Sequence, residues 1–100
     1  MITMHPGEYL QLVYMEPNDL SQVDVAKRLD ISPSTLSRLI AGTAELSAAM
    51  AVRLSIVFGR SPESWLAMQA SHSLSSAKEN IDVSKLMPIS LGSKDAVQLL

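Results

Sequence analysis

An all-α domain with a less regular C-terminal tail is the fold this 100-residue chain predicts. Three observations carry that reading. Apolar residues recur at helical spacings of three and four, as in Leu10, Val13 and Tyr14 or Leu36, Leu39 and Ile40. Serine, twice followed by proline, opens successive apolar stretches, and Gly42 and Gly59 stand where two of them close. No pair of alternating, strand-like segments is evident before residue 72.

The elements follow in order. Pro6 lies just before Leu10, Val13 and Tyr14, whose spacing predicts a helix ending before Pro17. The stretch Ser21 to Gly42, SQVDVAKRLDISPSTLSRLIAG, predicts two short helices joined by a tight turn. Ser21 caps the leading helix, Asp24 stands in a capping-box-like place, and Leu20 and Val25 suit a hydrophobic staple. The same grammar repeats with Ile31 before the cap, Ser32 as cap, Pro33 at the first helical position and Leu36 as staple partner. Val25, Ala26 and Leu29 share one face, and Ala26 is small where two helices must approach. The connection Asp30-Ile31-Ser32 is short enough to force a sharp interhelical angle. Such turns often hold glycine; Asp30 tolerates positive φ better than most residues, so the departure is mild.

Ser47 opens a further helix, with Ala51, Leu54 and Phe58 inward and Gly59 at its end. Ser61-Pro62-Glu63 places a cap, a first-turn proline and a dipole-favoured acid in succession. That opens a fifth helix through Trp65, Leu66 and Gln69 to about His72. Trp65 reads as a core or dimer-interface residue. From Ser71 the serine-rich SHSLSSAKEN suggests a boundary or a frayed helix end. Ile81 and Val83 then alternate, Pro88 limits regular pairing, and LGSKDAVQLL suits a weak helical turn. The division expected is a domain over residues 5–74 and a tail over 75–100. Apolar residues are too frequent in the tail for a purely solvating linker, so it is expected to dock on its own domain, pair with a second copy or bind another protein.

With Leu36, Leu39 and Ile40 turned inward, Pro33, Ser34, Ser37 and Arg38 remain on the outer face of the motif's trailing helix. In a helix-turn-helix the N-terminal part of that helix enters the DNA major groove. The Arg38 guanidinium is the best candidate for a base contact, since its planar fork matches guanine O6 and N7. Ser34 and Ser37 donate or accept less selectively, and the Pro33 ring suits a thymine methyl. Gln22, in the first turn of the leading helix, is placed to bond a phosphate oxygen. Thr35 is more ambiguous, facing either the bases or the backbone. The plain alternative is a pair of well-capped surface helices in which these residues are ordinary solvated side chains.

Composition sets the outer limits. One domain with a modest core is expected from this length, and 47% of the residues are apolar. The apolar runs are too short to span a membrane, and no signal-like opening segment is seen, so a cytoplasmic location is expected. Cysteine is absent, which excludes disulfides and thiolate zinc sites. The net charge of -2 counts against a non-specific nucleic-acid binder, yet Lys27, Arg28 and Arg38 all fall within the motif. Neither histidine, His5 nor His72, has metal-ligand spacing around it, and His5 suits a capping role. No nucleophile elbow, Gly-rich phosphate loop or dinucleotide fingerprint occurs, so no enzyme and no cofactor are expected.

HPGEYL, VAKRLDISPSTLSRLIAG, MAVRLSIVFG and SPESWLAMQ occur in this order and spacing. Together they resemble the HigA-type antitoxins, helix-turn-helix members of toxin–antitoxin pairs within the Xre/phage-repressor-like family. The resemblance covers roughly residues 5–74, and the SPESWL segment is its most specific part. It implies a compact five-helix lambda-repressor-like helix-turn-helix domain, a homodimer, a palindromic operator in double-stranded DNA and repression of the operon for toxin and antitoxin. It also implies neutralisation of a partner toxin, usually a small mRNA-cleaving ribonuclease. By position, the groove-facing residues correspond to Pro33, Ser34, Ser37 and Arg38. The phosphate-binding ones correspond to Gln22, Ser32 and the backbone after Gly42, at Thr43. Family members often carry Asn before that glycine and basic residues after it; this chain has Ala41, Thr43, Ala44 and Glu45, which leaves fewer phosphate contacts. Two alternatives stay open: a stand-alone repressor of the Xre type, and a toxin-masking module with weak DNA binding.

Overall fold

The computed structural model describes residues 4–91. In chain order, α1 (Pro6–Tyr9) continues directly into a π-helical segment (Leu10–Met15). Then follow α2 (Gln22–Leu29), α3 (Pro33–Ala41), α4 (Ala48–Phe58), α5 (Pro62–Asn80) and a single 3-10 turn (Val83–Lys85). The expected all-α domain is thus observed, with no strand among the described residues. The helical turn expected in LGSKDAVQLL lies, but for Leu91, outside the described residues.

The helix starts are built by the side chains that the sequence singles out. The hydroxyl oxygens of Ser21, Ser32, Ser47 and Ser61 accept the N–H of Asp24, Thr35, Met50 and Ser64, respectively. His5 caps α1 in the same way, its Nδ1 accepting the Gly7 N–H at 3.0 Å. The Asp24 carboxylate does not complete a capping box; it accepts instead from Arg28 Nε at 3.0 Å, one turn along α2. Asp30 ends α2 at φ 56° and Gly42 ends α3 at φ 78°, both left-handed as expected.

One core holds the helices together. Leu10, Val25, Ala26, Leu29, Leu36, Leu39, Leu46, Ala51, Leu54 and Trp65 are buried in it, and Leu20, Ile31, Ile40 and Phe58 pack against its edge. α1 and α3 approach closely at Gly7. A Cβ built on Gly7 would lie 1.8 Å from the Leu39 carbonyl oxygen, so only glycine allows the two backbones to meet there.

Three expectations are corrected. The first helix does not keep α-helical spacing: between Leu10 and Met15 it widens to a π-helix, which brings Leu10 and Met15 onto one buried face and leaves Val13 exposed. The fifth helix does not fray at His72. It runs to Asn80, through the serine-rich stretch and across the expected 74/75 border. Half-buried His72, Ser73 and Ala77 line a cleft with His5, Gly42 and Glu45, so tertiary packing supports a segment of indifferent helix propensity. Finally, Trp65 is not available to a dimer interface. It is 0% exposed within its own chain, its indole N–H donates to the Gly59 carbonyl at 3.1 Å, and its ring meets that of Tyr9 edge-on and that of Tyr14 at a tilt.

Candidate nucleic-acid interface

The site begins with the angle between α2 and α3. Leu29 ends α2, Pro33 begins α3, and the three residues between them turn the chain through the left-handed Asp30. This turn has a partner that the sequence reading missed. Arg53, the lone charged residue of α4, donates from one guanidinium nitrogen to the carbonyls of Leu29 at 2.8 Å and Asp30 at 3.1 Å. It thereby satisfies carbonyls at the end of α2 and ties the turn to α4. A cation alone on an otherwise apolar helix was the available signal.

α3 presents Pro33, Ser34, Ser37 and Arg38 to solvent, while Leu36 and Leu39 are buried. The four residues expected to meet base edges therefore do share the exposed side of one helix. Among the described residues Arg38 makes no ion pair and no side-chain hydrogen bond, whereas Arg28 is held by Asp24 and Arg53 by the turn. Its guanidinium donors are all free to meet a ligand.

The expected phosphate contacts divide. Gln22 is exposed at the first position of α2, where helix N–H groups favour an anion. The Ser32 hydroxyl is also exposed but already engaged, lying 2.7 Å from Thr35 Oγ1 and 3.2 Å from Ser34 Oγ while accepting the Thr35 N–H. That cluster answers the question of Thr35: its hydroxyl turns to the cap. Thr43 has spent both its donors, since its N–H and its hydroxyl each bond the Arg38 carbonyl, at 3.1 and 3.2 Å. A phosphate at Thr43 would have to displace that closure of α3.

The loop after α3 is fixed from α5 by a second residue whose role went unread. Gln69, buried, accepts the Leu46 N–H at 2.8 Å and donates to Ser73 Oγ at 2.9 Å. A buried amide facing a loop of few apolar residues has no distinctive sequence pattern. His5 and His72 meet edge to face across the same cleft, with ring centroids 5.0 Å apart. Burial, with the His72 ring second, holds the His5 pKa below its ordinary 6.5, against smaller opposing effects of the Ala44 carbonyl, Glu8 and Glu45. No group of three or more His, Cys, Asp or Glu among the described residues is placed to hold a metal ion. No helix there is long and apolar enough to cross a membrane.

Comparison with known proteins identifies the fold and the family. A helix-turn-helix family model matches residues 14–65. The HTH-type transcriptional regulator YddM of Escherichia coli K12 is 43% identical over 81 residues, covering 81% of this chain and 85% of the regulator. Among solved structures, the antitoxin GraA superposes with a TM-score of 0.83 at 27% identity, covering 89% of this chain and 99% of GraA. The Pseudomonas aeruginosa antitoxin HigA, solved with the higBA promoter, gives a TM-score of 0.75 at 27% identity, covering 89% of this chain and all of HigA. The chain belongs to the helix-turn-helix family of DNA-binding regulators, and HigA-type antitoxins are among its structural relatives.

Proposed function

We propose that this protein is an operator-binding antitoxin, which represses its own toxin–antitoxin operon as a dimer and neutralises a partner toxin. The observation that carries the DNA half is the outer face of α3, where Pro33, Ser34 and Ser37 surround an unpaired Arg38. In this reading Arg38 grips a guanine, the serines and Pro33 meet neighbouring bases, and Gln22 holds a phosphate at the N-terminus of α2. A two-fold dimer puts two copies of α3 into successive major grooves about 34 Å apart. The kinship with HigA and GraA, both antitoxins, supports the toxin half.

The described part of the tail supports a role in assembly. Ile81, Val83, Leu86, Met87, Ile89 and Leu91 are all exposed, so this segment does not dock on its own domain. A second copy or the toxin is then what covers it. One observation favours the toxin-masking alternative: the loop after Gly42 carries no cation, and the donors of Thr43 are already used. Footprinting on the DNA upstream of the gene, at defined salt, separates the readings. A protected, two-fold symmetric site is expected. Binding no tighter than to random DNA would leave only the masking module.

A further inference from the structure

His5 occupies a position where a change of protonation has structural consequences. Its Nδ1 accepts the Gly7 N–H, which requires the bare lone pair of a neutral ring. His5 is 7% exposed as a residue, and its ring lies against Gly42, the residue that ends α3. Gly7, the donor in this cap, is the residue whose missing Cβ lets α1 close on the Leu39 carbonyl. One ring thus joins the start of α1, the end of α3 and, through His72, the middle of α5.

Protonation at Nδ1 would set an N–H against the Gly7 N–H and place a positive charge at a helix N-terminus, where it is disfavoured. The charged and titratable groups facing the ring are Glu8 from α1, Glu45 from the loop after α3 and His72 from α5. The two carboxylates offset part of the cost, while burial and the second imidazole add to it. We propose that His5 is an acid-sensitive latch, whose protonation frees α1 from the C-terminal end of α3 and so weakens DNA binding. The effect on DNA rests on the operator-reading function proposed above; the effect on the latch does not.

The sign is fixed by linkage. Because the folded ring resists a proton that the unfolded chain takes up at its ordinary 6.5, stability is full above that pH and falls as the pH drops below it. The loss stops growing once the folded ring itself is protonated. The folding constant therefore falls by up to about tenfold per pH unit in that window.

Three measurements on the full chain test the latch. Histidine-ring NMR of the unaltered protein is expected to show His5 with a bare Nδ1 at neutral pH, and the Gly7 and Gly42 amides shifting with its titration. A proton on Nδ1 at neutral pH, or amides indifferent to that titration, overturns the proposal even if no variant folds. His5→Asn keeps a side-chain oxygen for the Gly7 N–H but does not titrate, so its urea midpoint should lose the extra acid sensitivity. Equal acid profiles for the two proteins also overturn it. Operator affinity should fall several-fold more for the unaltered protein than for His5→Asn between about pH 7.5 and 5.5. If neither binds its upstream DNA at neutral pH, the operator reading fails, while the amide shifts and urea midpoints still decide the latch.

Discussion

Gly7 and Arg53 show how single residues set the attitude of α3. Gly7 lets the backbone of α1 touch that of α3, and any side chain there must push Leu39 and Ile40 away. Gly7→Ala is expected to cost about 3 kcal/mol in urea unfolding, as overpacking against backbone does. An unchanged midpoint would show that α1 and α3 separate easily. Arg53→Met removes the donors to the Leu29 and Asp30 carbonyls while keeping an apolar stem, with an expected loss of about 1–2 kcal/mol. Gly42 differs from Gly7 in its reason for being glycine. A Cβ there would meet His5 only at ordinary contact distance, so the constraint is its φ of 78°.

Between helices, the fit depends on buried polar groups that hold irregular segments in place. Gln69 reaches from α5 to the Leu46 N–H and so fixes the loop that leaves α3. Gln69→Leu leaves that N–H buried and unsatisfied, for an expected loss of about 1–3 kcal/mol by denaturant titration. A neutral or stabilising result would show that the loop reaches solvent without it. The same distinction explains what was legible beforehand. Caps, helix stops and the faces of α2 and α3 follow from local rules, and Ser21, Ser32, Pro33, Asp30 and Gly42 behave as those rules require. The π-helical stretch and the reach of α5 to Asn80 are set by tertiary contacts instead. Leu10 and Met15 share a buried face only once the helix widens, and the serine-rich half of α5 is supported by His5 and the loop it borders. Trp65 was left between core and interface for a related reason, since a large aromatic serves both equally well until its surroundings are known, and burial decides for the core. In the candidate site, the exposed face of α3 was readable from periodicity. That Thr43 turns both donors back on Arg38 was not.

For the whole molecule, the contrast is between a closed core and an uncovered tail. The domain buries a core from Leu10 to Trp65 and leaves single apolar residues such as Val23 and Ile56 exposed, while the described chain beyond Asn80 leaves all six of its large apolar residues in water. Truncation after Asn80 is expected to leave the helical fold and its unfolding midpoint nearly unchanged while removing self-association, toxin inhibition or both. Sedimentation velocity and an inhibition assay check this; unchanged mass and unchanged inhibition would contradict both roles for the tail. The loop after Gly42 carries no cation, so under the operator-binding proposal a shallow dependence of DNA affinity on salt is expected, because each phosphate neutralised adds to the slope.

Whether α3 reads DNA bases through Arg38 is decided by Arg38→Ala. Affinity for the upstream operator and for random DNA is measured side by side at one salt concentration. We expect operator binding to weaken by roughly 1–3 kcal/mol, with relaxed preference at a single base position and random-DNA binding little changed. An equal loss on both DNAs would mean that Arg38 touches only phosphate, and no loss on either would mean that α3 is not the reading helix.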